Sequence, residues 1–298
     1  MNRANARGRL GRLRWAALVA VVMTGVLAGT ASAAPGPAQD NFVAAFAHAV
    51  GNPTADPPGT NDFSCRPTPA HPHPVVLVHG TWENKYDNWA GLSGKLKARG
   101  HCVFALNYGG TEGEVIQGTG DIPTSARQLA AFVDRVLAAT GARRVDVVGH
   151  SQGGMMPRYY IKNLGGAAKI NTLVALVATN HGTTLHGLAE LGRLFPALVG
   201  PCTACAQQIA GSDFIKALNA GGETHPAVRY VNIATKTDAI TTPYTSAFLK
   251  PAPNVTNQTL QDFCPADQTE HVGITYNRPA AQLVLNALDP ANTRPPAC

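Results

Sequence analysis

Val145-Asp146-Val147-Val148-Gly149-His150-Ser151-Gln152-Gly153-Gly154 is an apolar run that breaks into Gly-x-Ser-x-Gly. The pattern is that of a serine held on a sharp turn between a strand and the helix that follows it. Such an elbow forces the serine into a strained backbone conformation, and side chains two residues to either side would collide with the turn, so Gly149 and Gly153 have a steric reason to be there. Gly and Ser are common, and the pentapeptide takes its meaning from what surrounds it.

Upstream, Val75 to Val78 is an apolar run closed by His79-Gly80, the signature of a strand buried on both faces of a parallel sheet. Trp89, Leu92 and Leu96 mark a helix ending at Gly100, and Cys102 to Tyr108 reads as the next strand. Asp121 and Pro123 open a long helix whose Leu129, Phe132, Val133, Val136 and Leu137 form one stripe up to Gly141. Downstream, a helix is expected from Met155 to Leu164, with Pro157 arguing for a late start or a kink. Strands follow at Ile170 to Ala178 and Tyr230 to Ala234, and a last helix at 282–288. Ahead of all this lies an irregular arm with a short helix, in which Phe42, Phe46 and Val50 recur at helical spacing. Strands alternating with helical stripes predict a mostly parallel sheet covered by helices on both faces, with ligands gathering at the carboxyl ends of the strands.

Residues 1–33 carry arginines at 3, 7, 9, 12 and 14, an uncharged apolar stretch from Trp15 to Gly29, and Ala31-Ser32-Ala33. This is the layout of a secretory signal with cleavage expected after Ala33, and the apolar run is short for a membrane span, which needs about 20 residues. The chain's 24 basic and 18 acidic residues include five leader arginines, so the mature balance is close to neutral and a nucleic-acid partner loses its support. An exported protein with a large single core is expected. Cysteines at 65, 102, 202, 205, 264 and 298 then read as three disulfides; of the fifteen possible pairings, the one expected joins Cys65 with Cys102, Cys202 with Cys205 and Cys264 with Cys298. Neither Cys202-Thr-Ala-Cys205 nor His71-Pro-His73 has the companions of a metal site.

A serine hydroxyl is a poor nucleophile near neutral pH and needs a base, and the base needs a group that fixes its tautomer. The chain order expected with this elbow is serine, acid, histidine. Among histidines 181, 186, 225 and 271, His271 in Glu270-His271-Val272-Gly273 lies in a late loop before the last helix and is the expected base. Asp238 is preferred to Asp213, Asp262 and Asp267 because it alone ends an evident strand, and Glu270 sits too close in sequence to reach round to the imidazole. His181 is expected in the pocket wall, and His150 and His79 as packed or hydrogen-bonded histidines. Donors for a developing oxyanion are expected from the backbone of Gln152, directly after the serine, and from Thr81 in His79-Gly80-Thr81-Trp82, by its backbone and its hydroxyl.

VVLVHGTW, CVFALNYGG, VVGHSQGG, TNHGTT and the EHVG loop, in this order behind a signal sequence, resemble the secreted bacterial lipases of the class 2 lipase family, within the α/β-hydrolase superfamily. The likeness runs from about residue 60 to the C-terminus. It implies an α/β-hydrolase fold and hydrolysis of acylglycerols and other carboxylic esters with no metal or organic cofactor, by Ser151, Asp238 and His271, with Thr81 and Gln152 at the oxyanion. The expected layout is a leader to residue 33, an arm over 34–60 and a catalytic domain over 61–298. Leu185, Leu188, Leu191, Leu194, Phe195 and Leu198 suggest either a surface helix that buries one face on the sheet or a cap over 185–227 that meets acyl chains or an oil surface. A monomer without a membrane anchor is expected, secreted and acting on an ester substrate. Polyester cleavage or acyl transfer by the same three residues, or a hydrophobic-ligand binder without catalysis, are the alternatives.

Overall fold

The computed structural model describes Met1 and residues 34–184, 186–187 and 201–298. The remainder of the leader and the six apolar residues of the candidate cap, Leu185 to Leu198, lie outside the described residues. The chain divides between Ala31 and Ser32, and the fold is that of the second unit. It runs α1 (Phe42–Gly51), β1 (Val75–Val78), α2 (Lys85–Trp89), α3 (Ser93–Ala98), β2 (Val103–Leu106), α4 (Ile122–Thr140), β3 (Val145–His150) and α5 (Gln152–Asn163). It continues with β4 (Ile170–Leu176), α6 (Thr203–Gln207), α7 (Asp213–Asn219), β5 (Arg229–Ala234), β6 (Val255–Thr259) and α8 (Arg278–Leu288).

The six strands form one sheet in the order β2-β1-β3-β4-β5-β6, and every neighbouring pair is parallel. Side chains alternate across β1: Val76 and Val78 join a core with α4, α5, α6 and α7, while Val75 and Leu77 join one with α2, α3 and α8. All four are buried, each contributing about 1.5–3 kcal/mol. This two-sided burial is why the strand reads as an unbroken apolar run.

Helix limits follow local chemistry. Asp121 accepts from the backbone of Thr124 at the start of α4, and Gly141 closes it in the left-handed conformation. The single helix marked by Trp89, Leu92 and Leu96 and expected to end at Gly100 is two, α2 and α3, with Asn84 and Asp87 forming a capping box on the first. The last helix begins at Arg278, ahead of the 282–288 reading, because Asn277 caps it and Pro279 sits in its first turn. In α1 the buried residues are Ala45 and Ala49, whereas Val50 is exposed; the helix forms where expected but faces inward on its alanines. The arm is joined to the body, through Lys85 to Asp56 at 2.5 Å and Tyr86 Oη donating to the Pro37 carbonyl at 2.7 Å. Disulfides link Cys65 to Cys102, Cys202 to Cys205 and Cys264 to Cys298, as the sequence suggested. Among the described residues no helix is long and apolar enough to cross a membrane.

Candidate active site

Ser151 stands between β3 and α5 with φ 53° and ψ −124°, a conformation that side-chain-bearing residues rarely adopt. Helix α5 starts directly after it, at Gln152, earlier than the Met155 expected, with Pro157 inside the helix. The Ser151 amide donates to the Leu176 carbonyl at 2.9 Å, and its carbonyl accepts from Gly154 at 2.9 Å. A Cβ at Gly149 would strike the Gly153 carbonyl, and one at Gly153 would strike the carbonyls of Val78 and His79. Both elbow glycines are therefore fixed by backbone, which no rotamer can move aside.

Asp238 lies in the turn after β5, and His271 in the loop between β6 and α8. Their side chains meet: His271 Nδ1 is 2.9 Å from Asp238 Oδ2 and 3.1 Å from Oδ1. The carboxylate is aimed by the backbone amides of Ile240 and Thr241, each donating to Oδ1 at 2.8 Å. With Nδ1 turned to the carboxylate, Nε2 is the ring atom left to take a proton, and it is buried without a hydrogen-bond partner among the described residues. The threonines at 235 and 237 hold the approach to this loop, both hydroxyls donating to the Thr269 carbonyl, at 2.8 and 2.6 Å.

Thr81 and Gln152 are brought together, and the hydroxyl expected as a donor is already engaged. Thr81 Oγ1 donates to Gln152 Oε1 at 3.1 Å and accepts from Gln208 Nε2 at 2.9 Å. The backbone amides of Thr81 and Gln152 make no backbone hydrogen bond among the described residues. The loop is steadied by Trp82 donating to the Gln117 carbonyl at 2.9 Å and by Gln152 Nε2 donating to the Gly118 carbonyl at 3.1 Å. Gln208 is itself fixed by the Thr179 hydroxyl at 2.9 Å. Beside this loop Trp82 and Ile240 form an apolar cluster with Phe42, Phe46, Ile116 and the Cys202–Cys205 disulfide, so the N-terminal arm supplies part of the wall.

His79 is buried and neutral. Its Nδ1 donates to the Gly80 carbonyl at 2.7 Å, its Nε2 accepts from the Tyr108 amide at 3.4 Å, and burial lowers its pKa to about 4. His150 pairs with Glu83 beneath the elbow, Nδ1 to Oε2 at 2.8 Å. Burial disfavours both charges, but their mutual attraction outweighs it, raising His150 and lowering Glu83. The remaining candidates stay apart from this cluster. Asp213, Asp262, Glu270, His186 and His225 are exposed, and His181 bonds Glu223 at 3.1 Å. His71 packs against His101 with ring centroids 4.1 Å apart and the rings tilted by 42°. Sequence reasoning missed Gln208, Glu83 and Asn88, each a single polar residue with no periodicity or motif to single it out. The described part of the candidate cap packs into the body: Ala204, Ile215 and Leu218 lie in the main core.

Residues 72–284 match the protein family described as lipase, class 2. Over 113 residues the chain is 39% identical to a triacylglycerol lipase of Pseudarthrobacter phenanthrenivorans, covering 36% of this chain and 32% of that one. A triacylglycerol lipase of Burkholderia plantarii is likewise 39% identical over 113 residues, covering 36% of this chain and 28% of the other. The matched stretch thus spans about a third of the length of these curated relatives. Among solved structures, lipase B of Aspergillus fumigatus superposes with a TM-score of 0.65 at 22% identity, over 81% of this chain and 57% of that one, a likeness of fold.

Proposed function

This chain belongs to the class 2 lipase family, and from that premise we propose that it is an exported carboxylic-ester hydrolase acting on acylglycerols through an acyl-enzyme. The reading is carried by the contact of His271 Nδ1 with Asp238 at the same sheet edge as the strained Ser151. His271 Nε2 accepts the Ser151 proton as Oγ attacks the ester carbonyl. Asp238 keeps the imidazole in the tautomer that exposes Nε2 and stabilises the imidazolium that forms. The carbonyl oxygen, now carrying charge, takes hydrogen bonds from the backbone amides of Thr81 and Gln152. Collapse of the tetrahedral adduct breaks the ester C–O bond, His271 protonates the departing alcohol, and water repeats the sequence on the acyl-enzyme to release the acid.

The cluster around Trp82 and Ile240 supports an acyl chain lying along that wall. Three disulfides among the described cysteines support folding in an oxidising compartment, and we assign the protein to the cell exterior as a monomer. The test is covalent labelling. A fluorophosphonate should label the wild-type protein at Ser151, and Ser151→Ala should keep its circular dichroism while losing label and ester turnover together. Ester hydrolysis retained by purified Ser151→Ala would overturn the assignment.

A further inference from the structure

We propose that His150 and Glu83 form a buried positioning pair for His271, in which His150 grips the main chain of the base's own residue. The inference rests on the proposed role of His271 and adds residues to that site. His150 Nε2 lies 3.0 Å from the His271 carbonyl oxygen, across 121 residues of sequence. A carbonyl only accepts, so Nε2 carries a proton. At the other end of the ring, Nδ1 is 2.8 Å from Glu83 Oε2, and the same oxygen accepts from the Gly80 amide at 2.9 Å. Burial opposes the charge on Glu83, but the imidazole beside it outweighs that and holds the carboxyl below its usual range; a carboxylate oxygen only accepts, so Nδ1 carries a proton as well. Asn88 faces the same nitrogen with its amide Nδ2 at 2.9 Å, a donor that a protonated Nδ1 cannot receive. Its amide oxygen, otherwise buried without a partner, accepts there once the amide is turned over.

His150 is therefore an imidazolium with two directed donors and one counterion. The groups facing it bear this out. His79 is neutral, burial and then repulsion from Glu83 raise Asp87 well above the carboxylate range, Asp238 favours the charge on His150, and the His271 ring centroid is 5.0 Å away. Gly80 leaves room for the pair, since a Cβ there would press on Glu83, on His150 Nδ1 and on Ser151. The consequence is mechanical and electrostatic. The residue before the nucleophile fixes the backbone of the base, tying the two reacting side chains to one rigid unit. Glu83 cancels the charge that would otherwise oppose formation of the His271 imidazolium during turnover.

The experiment compares wild type, His150→Ala, His150→Gln, Glu83→Leu and the Ala/Leu double variant by fluorophosphonate labelling rate, by kcat and KM on a soluble ester, and by pH profile. Glutamine places an amide N–H near the position of Nε2 and keeps the grip without the charge. His150→Ala and Glu83→Leu should each lower the labelling rate and kcat about 10²-fold, the cost of a misplacement of about 1 Å at a reacting group, with KM within a few-fold. The double variant should be no worse than either single one, as expected for residues acting as a unit. His150→Gln should recover most of the His150→Ala loss. In nitrogen-15 histidine spectra of the wild type, both ring nitrogens of His150 should stay protonated as the pH rises past about 6.5, where a free histidine loses its charge, a readout that needs no active variant. Wild-type labelling rates and pH profiles in folded His150→Ala would overturn the positioning role, as would a His150 that loses its proton at or below the pH of a free histidine, about 6.5. A wild type that fluorophosphonate never labels would overturn the underlying hydrolase reading, an outcome visible before any variant is made.

Discussion

His79 makes the loop that carries Thr81 sensitive to acid, and the size of the effect follows from its two hydrogen bonds. The ring is fully buried and stacked on Tyr108 at 4.2 Å. Its Nδ1 donates to Gly80 and its Nε2 accepts from Tyr108, so a second proton would turn an acceptor into a donor facing an N–H. Burial accordingly holds the folded pKa at about 4, against 6.5 for a free histidine. A histidine whose pKa is depressed by folding contributes stability that is complete above pH 6.5 and is lost as the pH falls toward 4, because the unfolded chain binds the proton first. At about 1.4 kcal/mol per pH unit the full loss is about 3 kcal/mol, a large share of the roughly 5–15 kcal/mol that holds a domain folded. The perturbation is His79→Asn, which keeps a donor for the Gly80 carbonyl and does not titrate. Urea unfolding of both proteins from pH 7.5 to pH 4 isolates the term, since every other titrating group is common to the two. The stability gap between wild type and variant should shrink by about 3 kcal/mol over that range. Parallel stability curves would refute the argument.

Other sites give sharper functional readouts. Asp238→Asn keeps an oxygen for the Ile240 and Thr241 amides but presents the wrong partner to Nδ1, so kcat should fall by up to about 10⁴-fold with little change in urea midpoint; a loss under tenfold would remove Asp238 from the role. Gln208→Leu strips the Thr81 and Thr179 hydroxyls of their shared partner. It should destabilise the fold by about 1–3 kcal/mol and lower kcat more than it raises KM, and unchanged kcat would show that the Thr81 loop stands without it. Gly153→Ala sets a methyl against two backbone carbonyls and should cost about 3 kcal/mol or more, read as a lowered thermal midpoint; a wild-type midpoint would mean that the elbow can spread.

The sheet was legible because burial on both faces writes itself into composition. Val75 to Val78 has no polar residue for a surface strand to use, Val145 to Val148 has only the buried Asp146, and Gly149 and Gly153 sit where a Cβ would meet backbone. Asp238 and His271 could be read because loops at the carboxyl ends of parallel strands converge whatever their separation in sequence. Strand β6 escaped, since Val255-Thr256-Asn257-Gln258-Thr259 lies at the sheet edge and is only partly buried, and an edge strand needs no apolar run. Helices α6 and α7 escaped because five and seven residues are too few to establish a period. Pro157 misled in the opposite sense: local propensity argues for a late helix, but the elbow requires α5 to begin immediately after Ser151.

The polar ties at the site were illegible for a different reason, and that reason bears on how the site works. A loop at the sheet edge cannot be fixed by apolar packing alone while it presents polar groups to a substrate. Its position is set by buried hydrogen bonds from residues elsewhere: Gln208 to Thr81, the Ile240 and Thr241 amides to Asp238, the threonines 235 and 237 to Thr269, and His150 to His271. Each is worth only about 1 kcal/mol net, too little for any to be essential to folding alone. Each is directional, however, and reaction rate falls steeply with small errors of placement. Loss of one such contact should therefore cost the proposed turnover more than it costs folding. Because the partners lie far apart in sequence and obey no period, no local pattern reports them; what makes them visible is the convergence of loops that the parallel sheet imposes.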